Sequence, residues 1–172
     1  MSEEARATTP DMSKVGSWEK YAAEVGAEPD LARATQLMER ARCYLLRFAW
    51  CNAFREAYVG ILIEEIFGVF LFRYEPARAS VPEWMWVVIG DLPPAYIHCD
   101  RDLANPASAL DGYMGAMEDW IAAVKEGRST EGLIPVNAPA TLEYAEKLES
   151  RLALIDSHVL SAPAYQADLG SQ

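Results

Sequence analysis

The sequence predicts an α+β fold, a small antiparallel sheet packed by about three amphipathic helices. Trp84-Met85-Trp86-Val87-Val88-Ile89 is an unbroken apolar run that stops at Gly90-Asp91-Leu92-Pro93-Pro94. Such a run suits a strand buried on both faces, and the prolines, which cannot donate ladder hydrogen bonds, end it. Upstream, Leu31, Ala34, Met38, Ala41, Leu45 and Phe48 recur at alternating steps of three and four, one stripe of a long helix. The link from the preceding apolar run, through Pro76 and Pro82, is too short for a parallel crossover, so antiparallel pairing follows.

In chain order, residues 1–15 are polar and small and are expected to form a disordered, mobile tail. Ser17 is a candidate N-cap for a short helix carrying Trp18 and Tyr21 one turn apart, broken by Gly26 to Pro29. The long helix is expected over 30–52 from an Asp30 cap, with Arg33, Glu39, Arg40, Arg42 and Arg47 on its wetter flanks. Ala57 to Tyr74 reads either as one buried helix or as two strands. Ile61, Ile63, Ile66 and Val69 favour strands, with Glu64-Glu65 at the bend. Trp84 to Ile89 is then an interior strand pairing with Ile66 to Arg73, and a short strand over Ala95 to Asp100 follows the prolines.

Asn105-Pro106 supplies an N-cap and a first-turn proline for a helix over 105–126, with Leu110, Met114, Met117, Ile121 and Val124 inward and Gly127 as its stop. Ile134, Pro135 and Val136 in the 128–140 loop are expected to pack down on the core. A third helix is predicted over 139–159, with Leu142, Ala145, Leu152, Ile155 and Val159 on one side and Glu143–Lys147 as an exposed i,i+4 pair. Residues 161–172 are expected to fray, which leaves one globular domain over 16–160.

Composition bounds the function. With 172 residues, 51% apolar, the chain is large enough for one core without disulfides or metals. Fifteen Lys and Arg against 26 Asp and Glu leave a net charge of −11, which disfavours nucleic acid and anionic lipid as partners. That surplus suits a basic protein partner, or solubility alone. Cys43, Cys51 and Cys99 form an odd set without metal spacing, so three free thiols in a reducing cytoplasm are expected. The opening Met-Ser-Glu-Glu-Ala-Arg lacks the apolar core of a secretory signal, and no stretch reaches the ~20 apolar residues of a membrane-spanning helix.

The candidate polar site is Asp91, His98 and Asp100, with Asp102 and, more remotely, Asp111 nearby in sequence. On a strand over 95–100, Tyr96, His98 and Asp100 share one face while Ile97 and Cys99 take the other. His and Asp two apart suit a metal site or an acid–base pair, although a solvated strand end is commoner. No metal centre and no cofactor is expected, for the chain has no H-E-x-x-H, no G-x-S-x-G and no phosphate-binding glycine loop. His98 adjoins Cys99 but points the other way, and Cys43 and Cys51, eight apart on the long helix, read as small buried thiols. Glu64 and Glu65 are either ligands or partner contacts, or a turn that keeps strand edges apart. Trp84, Trp86 and Tyr96, with Phe70 and Phe72, line a pocket or belong to the ordinary core.

The run from Trp84 through Gly90-Asp91-Leu92-Pro93 to Tyr96-Ile97, followed by Asn105, Pro106, Ala109 and Leu110 and preceded by Trp50-Cys51, resembles uncharacterised bacterial families that share this strand, turn and helix start. The resemblance covers about Met38 to Val159 and implies a cytoplasmic α+β domain. It transfers no catalytic residue.

Two functions remain open from the sequence. One is a small acidic, non-enzymatic interaction protein, immunity- or regulator-like, that binds a protein partner. The alternative is a small-ligand or metal-binding protein, or an enzyme, with a pocket near residues 90–102. A homodimer is one expectation, because Tyr44, Trp50, Phe54 and Tyr58 lie off the stripe of the long helix. Three helices on one sheet face would also leave the other face bare. The alternative to a dimer is that the 128–140 loop and the N-terminal helix cover the second sheet face within one chain.

Overall fold

The computed structural model describes residues 9–26, 29–63, 66–78 and 82–169. Residues 1–8 of the expected tail and the Glu64-Glu65 bend therefore lie outside the described residues. Five antiparallel strands pair in chain order: β1 (Gly16–Ser17), β2 (Cys51–Ile63), β3 (Phe67–Pro76), β4 (Trp84–Gly90) and β5 (Ala95–His98). The α-helices among the described residues are α1 (Trp18–Val25), α2 (Asp30–Leu46), α3 (Pro106–Lys125), α4 (Leu142–Ile155) and α5 (Pro163–Leu169).

The continuous apolar runs sit where their composition demands. β3 and β4 are central, and the register pairs Val69 with Val88 and Leu71 with Trp86. Alternate side chains go to two different cores. Val69, Leu71, Trp86 and Val88 meet α3 and α4, while Phe70, Phe72, Met85 and Val87 meet α2. Helices on both faces explain why these strands carry no polar alternation.

This arrangement supplies, within one chain, a cover for the sheet face on which the homodimer expectation turned. The second sheet face is covered within the chain by α2, through Leu37, Met38, Ala41 and Leu45, with Trp18 of α1 beside it. Trp50, Phe54 and Tyr58 do not belong to the long helix at all. Their rings pack on Tyr74, Phe72 and Trp84, with centroids 5.3, 5.0 and 5.9 Å apart. The large apolar side chains thought to need a second subunit are thus accommodated by the chain itself.

The long helix ends at Leu46, six residues before the expected 52. Phe48 continues the helical spacing in sequence, but it stacks on Trp50 at 5.3 Å and meets Tyr96 edge-on at 5.0 Å. That packing requires a turn, closed by the Cys51 N–H to the Phe48 carbonyl at 3.0 Å. Cys51 consequently opens β2 and is buried, whereas Cys43 on α2 is exposed rather than buried as expected.

α3 follows its sequence signals closely. The Asn105 side chain accepts from the Ser108 N–H at 2.9 Å, the Ser108 hydroxyl accepts from the Asn105 N–H at 3.3 Å, and Pro106 stands in the first turn. Gly127 follows the helix in the left-handed region at φ +66°. α4 starts later than expected, capped by Thr141, so Leu142 is exposed and Leu148 takes the inward position. It passes into a π-helical turn over Asp156–Leu160. Leu133, Ile134 and Val136 of the preceding loop pack on the α3 side of the core, while Pro135 is exposed.

The described residues near either end are more ordered than their composition suggests. Asp11 donates its N–H to the Ala104 carbonyl at 2.8 Å, and Lys14 pairs with Asp168 at 2.6 Å. Within the end expected to fray, Pro163–Leu169 form α5, whose Tyr165 and Leu169 pack on the α3-side core, and residues 170–172 lie outside the described residues. A few apolar residues in a polar tail suffice when they reach an existing core.

Candidate functional site

The sheet ladder separates the residues expected to form one polar site. His98 pairs with Met85 at the beginning of β4, whereas Asp91 follows Gly90 at its end. Six residue steps along β4 separate Met85 from Asp91, about 20 Å. β5 stops at His98, so Asp100 is not on its face. The Asp100 carboxylate instead accepts from the Asp102 and Leu103 N–H groups at 3.0 and 2.9 Å, organising the turn toward α3. His98 is exposed, its ring edge-on to Tyr96 with centroids 5.9 Å apart. Asp111 lies on the outer surface of α3. Among the described residues no three His, Cys, Asp or Glu side chains gather as a metal centre requires.

The three candidate pocket aromatics are separated too. Trp86 is fully buried, and its indole N–H donates to the Leu103 carbonyl at 2.8 Å. Trp84 shares that sheet face but stands under the Arg73 guanidinium, 5.7 Å from the ring centroid. Arg73 in turn joins Glu56 at 3.0 Å and Glu83 at 2.5 Å. Tyr96 faces the opposite core, among Phe48 and Trp50. The two buried thiols are not primed for nucleophilic attack: burial pushes Cys51 up, and Cys99 up to about 11.

Asp91 does occupy a built corner. Gly90 has φ +146°, and a Cβ there would stand 2.3 Å from the Ile66 carbonyl oxygen, so only glycine lets the strand end pass the β2–β3 hairpin. The Asp91 N–H donates to that same oxygen at 2.7 Å. Arg40 from α2 donates to the Gly90 carbonyl at 3.0 Å, and Arg151 from α4 pairs with the Asp91 carboxylate. Tyr113, buried in α3, donates its hydroxyl to the Pro93 carbonyl at 2.8 Å, and burial pushes its own pKa up. The turn is tied to helices on both sides of the sheet, and shallow grooves of about 400, 460 and 600 Å³ border Asp91.

A second surface escaped the sequence reading. α3 and α4 meet over a groove of about 650 Å³, with Met114, Ile121 and Leu152 beneath it and Gly115, Ala122 and Ala153 leaving it open. Its rim is acidic: Asp111, Glu118 and Glu126 on one side, Glu149 and Asp156 on the other, against the single cation Lys125. Lys125 pairs with Glu149 at 2.6 Å, and Arg128 with Glu126 at 2.5 Å. Asp111/Glu118 and Glu149/Asp156 are each seven apart, but only the packing of α3 on α4 brings the two pairs to one groove.

The two helical layers differ in charge. The layer of α1 and α2 carries Glu19, Glu24, Asp30 and Glu39 against Lys20, Arg33, Arg40 and Arg42, a net charge of zero. Residues 106–169, which contain α3, α4 and α5, carry ten acids against four bases, a net −6. More than half the excess charge of −11 is therefore in the segment that covers one side of the sheet. No described helix is long and apolar enough to cross a membrane. Compared with known proteins, the chain matches no family model, no curated protein and no solved structure.

Proposed function

We propose that this chain is a small acidic, non-enzymatic interaction protein that binds a basic protein partner in a reducing cytoplasm. The observation that carries this reading is the unequal charge on the two sides of the sheet, net −6 over residues 106–169 and net zero on α1 and α2. An acid surplus needed only for solubility has no reason to concentrate on one side, whereas a docking face does. Immunity- or regulator-like proteins that neutralise a basic partner use such a face. No cofactor enters this reading.

Affinity capture with the full chain at low salt, followed by titration of the purified captured protein, tests it. The expected result is saturable one-to-one association that weakens steeply as salt rises, since exposed charge pairs are screened within about 8 Å at physiological ionic strength. Association indifferent to salt would overturn the reading.

A second reading, a small-ligand pocket at residues 90–94, is favoured by the grooves that meet at Asp91. Its test is thermal stabilisation of the chain by a small-molecule library, with loss of the effect in Arg151→Ala.

A further inference from the structure

We infer that the groove between α3 and α4 receives an amphipathic helix of the basic partner, which lies along the pair as a third helix. This inference rests on the proposed function and assigns it a surface and a mode of recognition. Three features of the groove define the occupant.

The first is its shape. Gly115 lies inside a twenty-residue helix, where glycine is unfavourable relative to alanine. Nothing in the chain demands it: a Cβ built there meets no atom within 4 Å. Gly112, by contrast, is overlain by Leu103 at 3.1 Å. Gly115 and Ala122 are seven apart on α3, and Ala153 faces them from α4, so the groove is open enough for another backbone to approach.

The second is its charge. Asp111, Glu118 and Asp156 form no ion pair among the described residues, so the rim presents carboxylates not neutralised by the chain itself. The sign excludes nucleic acid and anionic lipid, and it repels the outer helical layer of a second copy.

The third is its period. Acids seven apart on each wall are about 10.5 Å apart along the helix axis, two turns. A helix whose Lys or Arg residues flank an apolar seam at heptad spacing matches both walls at once. The occupant is therefore a basic amphipathic helix, with Leu, Ile or Met seated over Gly115, Ala122 and Ala153, since Met114, Ile121 and Leu152 beneath them are already buried.

A synthetic 21-residue helical peptide with a Leu/Ile heptad seam flanked by Lys, titrated into the isotopically labelled full chain, tests this. Its control replaces every Lys with Glu. The basic peptide should shift the amide resonances of Gly115, Ala122 and Ala153. It should weaken at least tenfold in 0.5 M salt and at least tenfold on Glu118→Lys combined with Asp156→Lys. Gly115→Leu should block the peptide while the unfolding transition is unchanged or raised, which separates occlusion from misfolding. Shifts that map to α2 or to the Gly90–Pro94 turn, or equal binding of the acidic control, overturn the groove and leave the proposed function standing. The same holds if the captured partner binds Gly115→Leu as tightly as it binds the parent chain. Self-association of the chain that Gly115→Leu abolishes would make a second copy the occupant and overturn the basic helix. No peptide binding, together with partner association indifferent to salt, overturns both.

Discussion

The Trp86 indole N–H donates to the carbonyl of Leu103 at 2.8 Å, tying the central strand to the turn that introduces α3. Trp86 lies in β4 at zero exposure, and Leu103 lies three residues before the Pro106 that opens α3. One side chain therefore fills the core and satisfies a backbone acceptor that the helix does not use. Its ring also stands 3.2 Å from where a Cβ on Gly60 would be, so β2 passes close over it.

Trp86→Phe should destabilise the fold by about 2 kcal/mol, chiefly because the Leu103 carbonyl loses its donor in a half-buried site. Trp86→Ala should cost about 4 kcal/mol, since a cavity is then added. Urea unfolding of both variants checks the order. A loss below about 1 kcal/mol for Trp86→Ala would contradict the burial.

Gly90→Ala should be among the most damaging small substitutions in the chain. The added methyl group meets the Ile66 carbonyl oxygen at 2.3 Å and the Phe67 Cα at 2.5 Å, both backbone atoms that cannot swing aside. The φ of +146° adds strain for any L side chain. A loss of about 3 kcal/mol or more is expected in denaturant unfolding. Exchange of the Asp91 amide should accelerate in parallel, because its bond to Ile66 depends on the same approach. Unchanged Asp91 protection in the variant would show that the turn does not need glycine.

Much of the fold was readable because its signals are local. The Asn105-Pro106 cap, the Gly127 stop and the two-faced apolar runs of β3 and β4 specify their elements from a few neighbouring residues. The end of α2 was not readable, because Phe48 satisfies helical spacing and is diverted only by Trp50 and by Tyr96, forty-eight residues away. The separation of Asp91 from His98 has a related reason. Asp91 and His98 are seven apart in sequence, but the Pro93-Pro94 turn places β5 antiparallel to β4, and each residue of β5 carries the chain away from Asp91. Cross-chain placement also made the α3–α4 groove legible only in retrospect, since each wall alone shows an ordinary acidic helix face.

Tyr74→Phe should stabilise the protein. The Tyr74 ring is fully buried beside Trp50, and its hydroxyl has no hydrogen-bond partner among the described residues. Burial pushes its pKa up to about 12. Removing an unsatisfied buried hydroxyl without changing the ring should gain about 1 kcal/mol. Thermal and urea unfolding should both show the rise. A loss would mean that the hydroxyl is satisfied in solution, for instance by a buried water.

The pH dependence should carry the mark of one hydrogen bond, from the Tyr58 hydroxyl to the Glu56 carboxylate. That hydroxyl, and after it Arg73, holds Glu56 below its ordinary value of 4.5. A depressed carboxyl pKa contributes stability that is complete above the unfolded value and is lost as pH falls through the folded one. The same bond, and then burial, pushes Tyr58 from 10.0 up to about 12. A raised pKa contributes stability that is complete below the unfolded value and is lost as pH rises toward the folded one. The two shifts thus define a plateau from about pH 4.5 to 10. Glu143, lowered by Lys147, and Asp11, lowered by Ser13, add acid sensitivity of the same sign, so the wild-type curve alone cannot isolate the bond. The difference in stability between the parent chain and Glu56→Gln can. It should be largest near pH 7 and shrink toward both pH 3 and pH 11, and a difference constant across that range would refute the bond.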